Sequence, residues 1–175
     1  MINADLEIQL QKHHQAAFGW TLGCCAQDPV EAEDVLQTVY LKILQGRARF
    51  DGKAEFKTWL FAVIRNTAAD AKRRNVLHFF KLRKYKEHLL ESGGSQNPDE
   101  KTGQSEIETA FRQILERLPP RQREVLHLVF YHELTLQQAS EVMGISIGSA
   151  RTHYDRGKKR VRALLEKNEV VNESR

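Results

Sequence analysis

Two pairs of metal-binding residue types stand near the N-terminus, His13-His14 and Cys24-Cys25. On a helix neighbouring residues point in different directions, and the rise between the pairs is roughly 15 Å, too far for four ligands around one tetrahedral ion. No metal site or cofactor is expected there. Elsewhere no Ser, Cys or Lys stands with a base and an orienting group in a recognisable constellation, so no catalytic residue is expected either. The chemistry to look for is recognition.

Two stretches carry it. In the second half, residues 149–160 present Ser149, Arg151, Thr152, Asp155, Arg156 and Lys159. Arg reads guanine bidentately, Asp accepts from cytosine N4, and Thr or Ser serves either way, so this set suits base edges in a major groove. From Arg151 to Lys167 seven basic residues face two acidic ones, a net of +5 suited to phosphates. In the first half, Phe50, Phe56, Trp59 and Phe61 are mixed with Arg and Lys residues, Asn66 and Thr67, and residues 57–90 carry a net of +7. Apolar or aromatic pockets beside cations are what splayed, unpaired bases require. For Phe56 and Trp59 a place in the core is an equally good reading.

The elements that must position these residues are legible as helices. Thr135 is an N-cap with Gln138 three residues on, a capping box. Gly144 then opens a turn, and Ser146 caps a helix starting near Ile147. Two helices on so short a turn are a helix-turn-helix, closed on Leu136, Ala139, Val142, Met143, Ile145, Ile147 and Ala150. A plain surface helix pair would not need cap, turn glycine, second cap and basic outer face to coincide. Upstream, Leu6, Leu10, Ala17, Phe18 and Leu22 mark a helix to about residue 24. Asp28-Pro29 with Glu31 at N3 starts another, ending near Gly46, with Val35, Leu36, Val39, Tyr40, Ile43 and Leu44 inward. Asp34, Gln37 and Leu41 lie on its outer side, where either a partner helix or plain solvent is the neighbour.

A third helix begins near Phe56, and its pattern continues or restarts through residues 76–91. Residues 92–106 then lose all periodicity and read as a flexible linker. Ile107 to Leu118 form one helix, and Pro119-Pro120 end it and start the next. With no alternating pattern or repeat, the fold class expected is all-α: two small helical domains, 1–91 and 107–175, joined by the linker, the second a helix-turn-helix. No apolar run reaches the length of a membrane span and no signal-peptide pattern opens the chain, so neither membrane insertion nor export is expected and a cytoplasmic protein is. Two adjacent cysteines exclude a disulfide framework.

Together the two modules resemble the sigma factor family of bacterial RNA polymerase, in its extracytoplasmic-function group. Residues 32–42, Phe50-Asp51 and residues 56–70 are similar to the family's region 2, and Leu118-Pro-Pro-Arg-Gln-Arg-Glu-Val-Leu126 with the helix-turn-helix to region 4. The resemblance implies that Asp34 and Gln37 dock on core RNA polymerase, with Leu41 beside them on the same face. It implies that Phe50, Lys53, Phe56, Asn66, Asp70, Arg73 and Arg74 open and read the promoter's −10 element as a single strand. It implies that Arg151, Thr152, Asp155 and Arg156 read the −35 element as duplex, with Ser149 on the same outer face and Lys159 suited to phosphate, and that an anti-sigma factor is a further partner. Thr38 stands where the family usually has Glu, and Asp155 adds an acid among the base-reading positions. The runner-up readings are a dimeric helix-turn-helix repressor on palindromic operators and a DNA-processing enzyme, for which no nucleophile or carboxylate cluster is in view.

Overall fold

The computed structural model describes residues 4–86 and 113–173, with side chains over 5–77 and 113–167. Among the described residues every regular element is a helix, and the sequence accounts for most of their ends. α1 spans Ala4–Cys24 and α2 spans Pro29–Leu44. Asp28 caps α2, its carboxylate accepting from the N–H of Val30 (2.9 Å) and of Glu31 (3.2 Å). The expected reciprocal bond from Glu31 is not made, because the Asp28 N–H is already donated to the Cys25 carbonyl at 3.0 Å. Past Leu44 the chain turns through Gly46 at φ 69, a left-handed conformation that glycine adopts without strain.

α3, Phe56–Lys86, runs unbroken for 31 residues, so the pattern after Arg74 is a continuation and not a restart. Residues 113–116 are helical, and α4 follows over Pro120–Phe130, with Pro at its first position where the missing N–H costs nothing. α5 is Leu136–Met143 and α6 is Ile147–Glu173. The predicted linker, residues 92–106, and the start of the helix predicted at 107 lie outside the described residues.

The N-terminal helices α1, α2 and α3 pack as a bundle on Leu10, Ala17, Trp20, Leu36, Val39, Ile43, Leu60 and Ile64. The C-terminal helices close on Ile114, Leu115, Leu118 and Leu126, with Tyr154, Val161 and Leu164 of α6 against them. Gly157 of α6 permits the closest approach, since a Cβ there would lie 3.0 Å from a methyl of Leu126. The two halves touch: Val125, Leu128, Leu134, Ala139, Val142 and Met143 belong to the same buried cluster as Trp20, Leu60 and Phe61.

Candidate nucleic-acid and polymerase interfaces

The helix-turn-helix is built from complete caps. The Thr135 hydroxyl accepts from the Gln138 N–H (3.2 Å), and the Gln138 side chain accepts in return from the Thr135 N–H (2.9 Å). Gly144 is left-handed at φ 63, ψ 38, and its N–H and that of Ile145 satisfy the last carbonyls of α5. Two residues on, the Ser146 hydroxyl accepts from the Ser149 N–H at 3.1 Å and starts α6. Ala139, Val142, Met143 and Ala150 are buried between the helices, which fixes the rotation of α6. Its outer face therefore carries Ser149, Arg151, Thr152, Asp155, Arg156 and Lys159, every one exposed.

Spacing sorts these six. Ser149, Thr152, Arg156 and Lys159 follow one another at three, four and three residues and share a stripe, with Arg151 and Asp155 as the adjacent i, i+4 pair. Thr152 donates its hydroxyl to the Gly148 carbonyl at 3.0 Å, leaving its oxygen lone pairs outward. Asp155 pairs with Lys158 at 3.4 Å, and the same ammonium lies 4.2 Å from the Tyr154 ring centroid. Lys158 is thus tied back to its own helix, whereas Arg156 is exposed on the outer face.

The second surface lies at the start of α3. Phe50, Phe56 and Trp59 form a mutual cluster with ring centroids 5.2 to 5.3 Å apart. They wall a half-open cleft of about 420 Å³ together with Leu6, Ile43 and Arg49, a volume in the range of small-molecule pockets. Phe50 is exposed, while Phe56 and Trp59 are partly buried, so the core and pocket readings of these two rings are both satisfied: one face packs inward and the other lines the cleft. Lys53, in the loop between Phe50 and Phe56, is paired with Asp51 at 2.9 Å, which raises the affinity of the amine for its proton and lowers that of the carboxyl. Beyond the cleft Asn66, Asp70 and Arg73 share the outer face of α3, with Arg74 beside them, all exposed; Asp70 and Arg73 pair at 3.3 Å. From Trp59 to Arg73 this face runs roughly 20 Å. Phe61 does not belong to it. That ring is fully buried against Trp20, with centroids 5.7 Å apart, because its position on α3 faces α1.

The third surface is the outer side of α2. Asp34, Gln37 and Leu41 are exposed there, and Val30 and Leu44 extend the row in both directions. Leu44 departs from the inward place its periodicity predicts, being 46% exposed. The five positions 30, 34, 37, 41 and 44 are spaced by four, three, four and three, the seam of a helix that lies along another helix.

Residues 10–77, which hold the second and third surfaces, match Sigma-70 region 2, and residues 108–161, which hold the first, match Sigma-70, region 4. The chain belongs to the sigma-70 family.

Within that family this sigma factor falls in the extracytoplasmic-function group, whose members bind core RNA polymerase and direct transcription initiation at promoter DNA. It is similar to the RNA polymerase sigma factor SigZ of Bacillus subtilis, 27% identical over 135 residues, which is 77% of this chain and 72% of that protein. It is also similar to the ECF RNA polymerase sigma factor SigX of the same organism, 27% identical over 163 residues, 88% of this chain and 80% of the other. Among solved structures it shares its fold with the sigma factor RpoE in complex with the anti-sigma factor NepR from Bartonella quintana. The TM-score there is 0.71 at 20% identity, covering 94% of this chain and 98% of that one. CnrH in complex with the cytosolic domain of CnrY gives a TM-score of 0.62 at 19% identity, covering 95% and 91%.

The remaining titratable candidates are accounted for by packing. His14 Nδ1 is 2.9 Å from the Tyr40 hydroxyl, and His13 stacks on Phe56. Cys25 lies in a small core with Ala32, Val35 and Ala68, where burial, with Glu31 and Asp28 behind it, pushes its thiol up to about 11. Burial and then Glu124 raise the Cys24 thiol further still. Neither sulfur is a thiolate at neutral pH, so neither is a nucleophile. Among the described residues no group of three or more His, Cys, Asp or Glu is placed to hold a metal, and no helix is long and apolar enough to cross a membrane.

Proposed function

We propose that the sigma factor holds promoter DNA in two different states with two different surfaces, without catalysing a reaction itself, in the cytoplasm where polymerase works. The exposed stripe of α6 reads the −35 element as duplex: Ser149, Arg151, Thr152, Asp155 and Arg156 reach base edges, and Lys159, farther along, contacts phosphate. The cleft of Phe50, Phe56 and Trp59 captures a base of the opened −10 strand, and Lys53 of the same loop contacts its backbone. Asn66, Asp70, Arg73 and Arg74 carry the strand along α3. The row from Val30 to Leu44, with Asp34, Gln37 and Leu41 at its centre, docks on a helical element of core polymerase. Residues 1–91 and 107–175 act as the two modules, with 92–106 between them.

The observation that carries this reading is the coexistence, in one chain, of a capped recognition helix with a fully polar outer face and an aromatic cleft open to solvent. A duplex reader alone has no use for the second. The solved relatives in complex with anti-sigma factors favour an anti-sigma partner for this chain also. The test is reconstitution with core RNA polymerase on a matched promoter, scoring complex formation and initiation. A chain that fails to co-purify with core, and binds palindromic duplex as a dimer by itself, would be a repressor instead.

A further inference from the structure

The aromatic cleft has a polar side that its rings do not explain. Besides Phe50, Phe56 and Trp59 it is lined by Asp5 and Gln9 of α1. These two lie one helical turn apart, roughly 6 Å along the axis. The next turn of the same face carries His13, stacked on the Phe56 ring with centroids 5.9 Å apart. α1 therefore meets the cleft with a carboxylate, an amide and an imidazole at positions 5, 9 and 13, while the loop before α3 and α3 itself bring the rings. Among the described residues no hydrogen bond or ion pair engages the Asp5 carboxylate or the Gln9 amide. Arg49, the cation of the same cleft, does not neutralise Asp5: its Nε donates to the Gly46 carbonyl at 3.1 Å.

A carboxylate is the wrong group for a surface whose only task is to hold a phosphate backbone. It repels the strand, and the repulsion is offset only where the ligand brings a hydrogen-bond donor. Bases differ in this respect. Cytosine, adenine and guanine each carry an exocyclic amine that donates to a carboxylate, whereas thymine sets carbonyl oxygens on both sides of its ring N–H. Stacking on aromatic rings accepts every base alike, since every base has a π-face. A stacked base presents its edge beyond the rings, where an unengaged carboxylate and amide can meet it. The rings then supply affinity, and α1 supplies choice by attracting an amine and repelling a keto oxygen.

We propose that Asp5, with Gln9 beside it, is a specificity determinant of the cleft: it selects a base that carries an exocyclic amine and rejects thymine at the captured position. The proposal rests on the reading of the cleft as the pocket for an opened −10 base. It is tested with the full-length chain bound to core polymerase and fluorescent single strands of a matched −10 sequence. The captured position is found first, as the one where an abasic site weakens wild type but not Phe50→Ala. At that position thymine should bind wild type ~5- to 150-fold more weakly than the best amine-bearing base, the span of one good base contact. Asp5→Ala should level this preference there and at no other position. Asp5→Asn should level it too, because its amide can turn a donor toward a keto oxygen, and Asp5→Glu should restore most of it. An analogue of the preferred base lacking only the exocyclic amine should weaken wild type and leave Asp5→Ala unaffected, a response that a merely structural aspartate does not give. Unchanged base preference in Asp5→Ala, or a wild type that favours thymine at the captured position, would overturn the role of Asp5 while leaving the cleft as the pocket. If Phe50→Ala loses no base-dependent affinity at any position, the reading of the cleft itself fails, and the role of Asp5 with it.

Discussion

Replacing Leu41 and Leu44 together by glutamine should loosen core polymerase while leaving the fold intact. The two side chains are 55% and 46% exposed, so about half of each is still open to a partner. Complete burial of a leucine is worth about 1.5–3 kcal/mol, so the open halves contribute roughly 0.7–1.6 kcal/mol each and about 1.5–3 kcal/mol together. That corresponds to a loss of ~10- to 150-fold in affinity. Glutamine keeps the methylenes that lean on the chain itself, so the urea midpoint should move by no more than ~0.5 kcal/mol equivalent. Competition between labelled wild type and the variant for core polymerase measures the first quantity, and a urea melt the second. An affinity within twofold of wild type would remove the α2 row from the docking surface. A large fall in stability would mean that Leu44 belongs to the core after all.

Arg156→Ala should weaken −35 duplex binding by about 1–3 kcal/mol and relax preference at one base pair, while Lys159→Ala should weaken all sequences alike and lower the salt slope by about 1; equal shifts in preference would show the two contacts wrongly sorted. Burial, with the nearby His127 and Lys57 charges, holds His132 at about 3 against an ordinary 6.5. The folded chain therefore holds the ring neutral, keeps the full contribution of His132 above pH 6.5, and loses about 1.4 kcal/mol per pH unit as pH falls from there toward 3. Urea melts at pH 7.5 and 5.5 should show a loss of stability at the lower pH that His132→Phe abolishes. Thr135→Ala removes half of the capping box and should cost about 1 kcal/mol in a urea melt, with no change if the cap is not holding α5.

Local rules carried the helix-turn-helix into view because everything that defines it lies within a dozen residues. Thr135, Gln138, Gly144 and Ser146 each act on backbone groups at most five residues away, and the buried faces follow from the rotation those caps impose. The all-α class and the start of α2 were legible for the same reason. The contact between the halves was not. Trp20 stands outside the stripe of Leu6, Leu10, Ala17, Phe18 and Leu22, and its burial depends on Phe61, His127 and His132, which are 41 to 112 residues distant. Arg65 and Glu124 look like solvated surface charges until the fold brings them together. Gly23 carries a clue in principle, a glycine inside a helix with no turn to make, but only the approach of His127 explains it. Leu44 was misplaced because an apolar residue one step from an inward stripe is indistinguishable by type from one that awaits a partner.

The satisfied ends of α5 and α6 have a consequence for how promoters are ranked. With Thr135 and Gln138 bonded reciprocally and Ser146 occupied, the reading head is already in its working shape and sacrifices little freedom on meeting a duplex. Two −35 sequences should then differ in occupancy by the quality of a few side-chain pairings alone, with nearly constant entropic overhead, so that single-base changes act close to additively across the site.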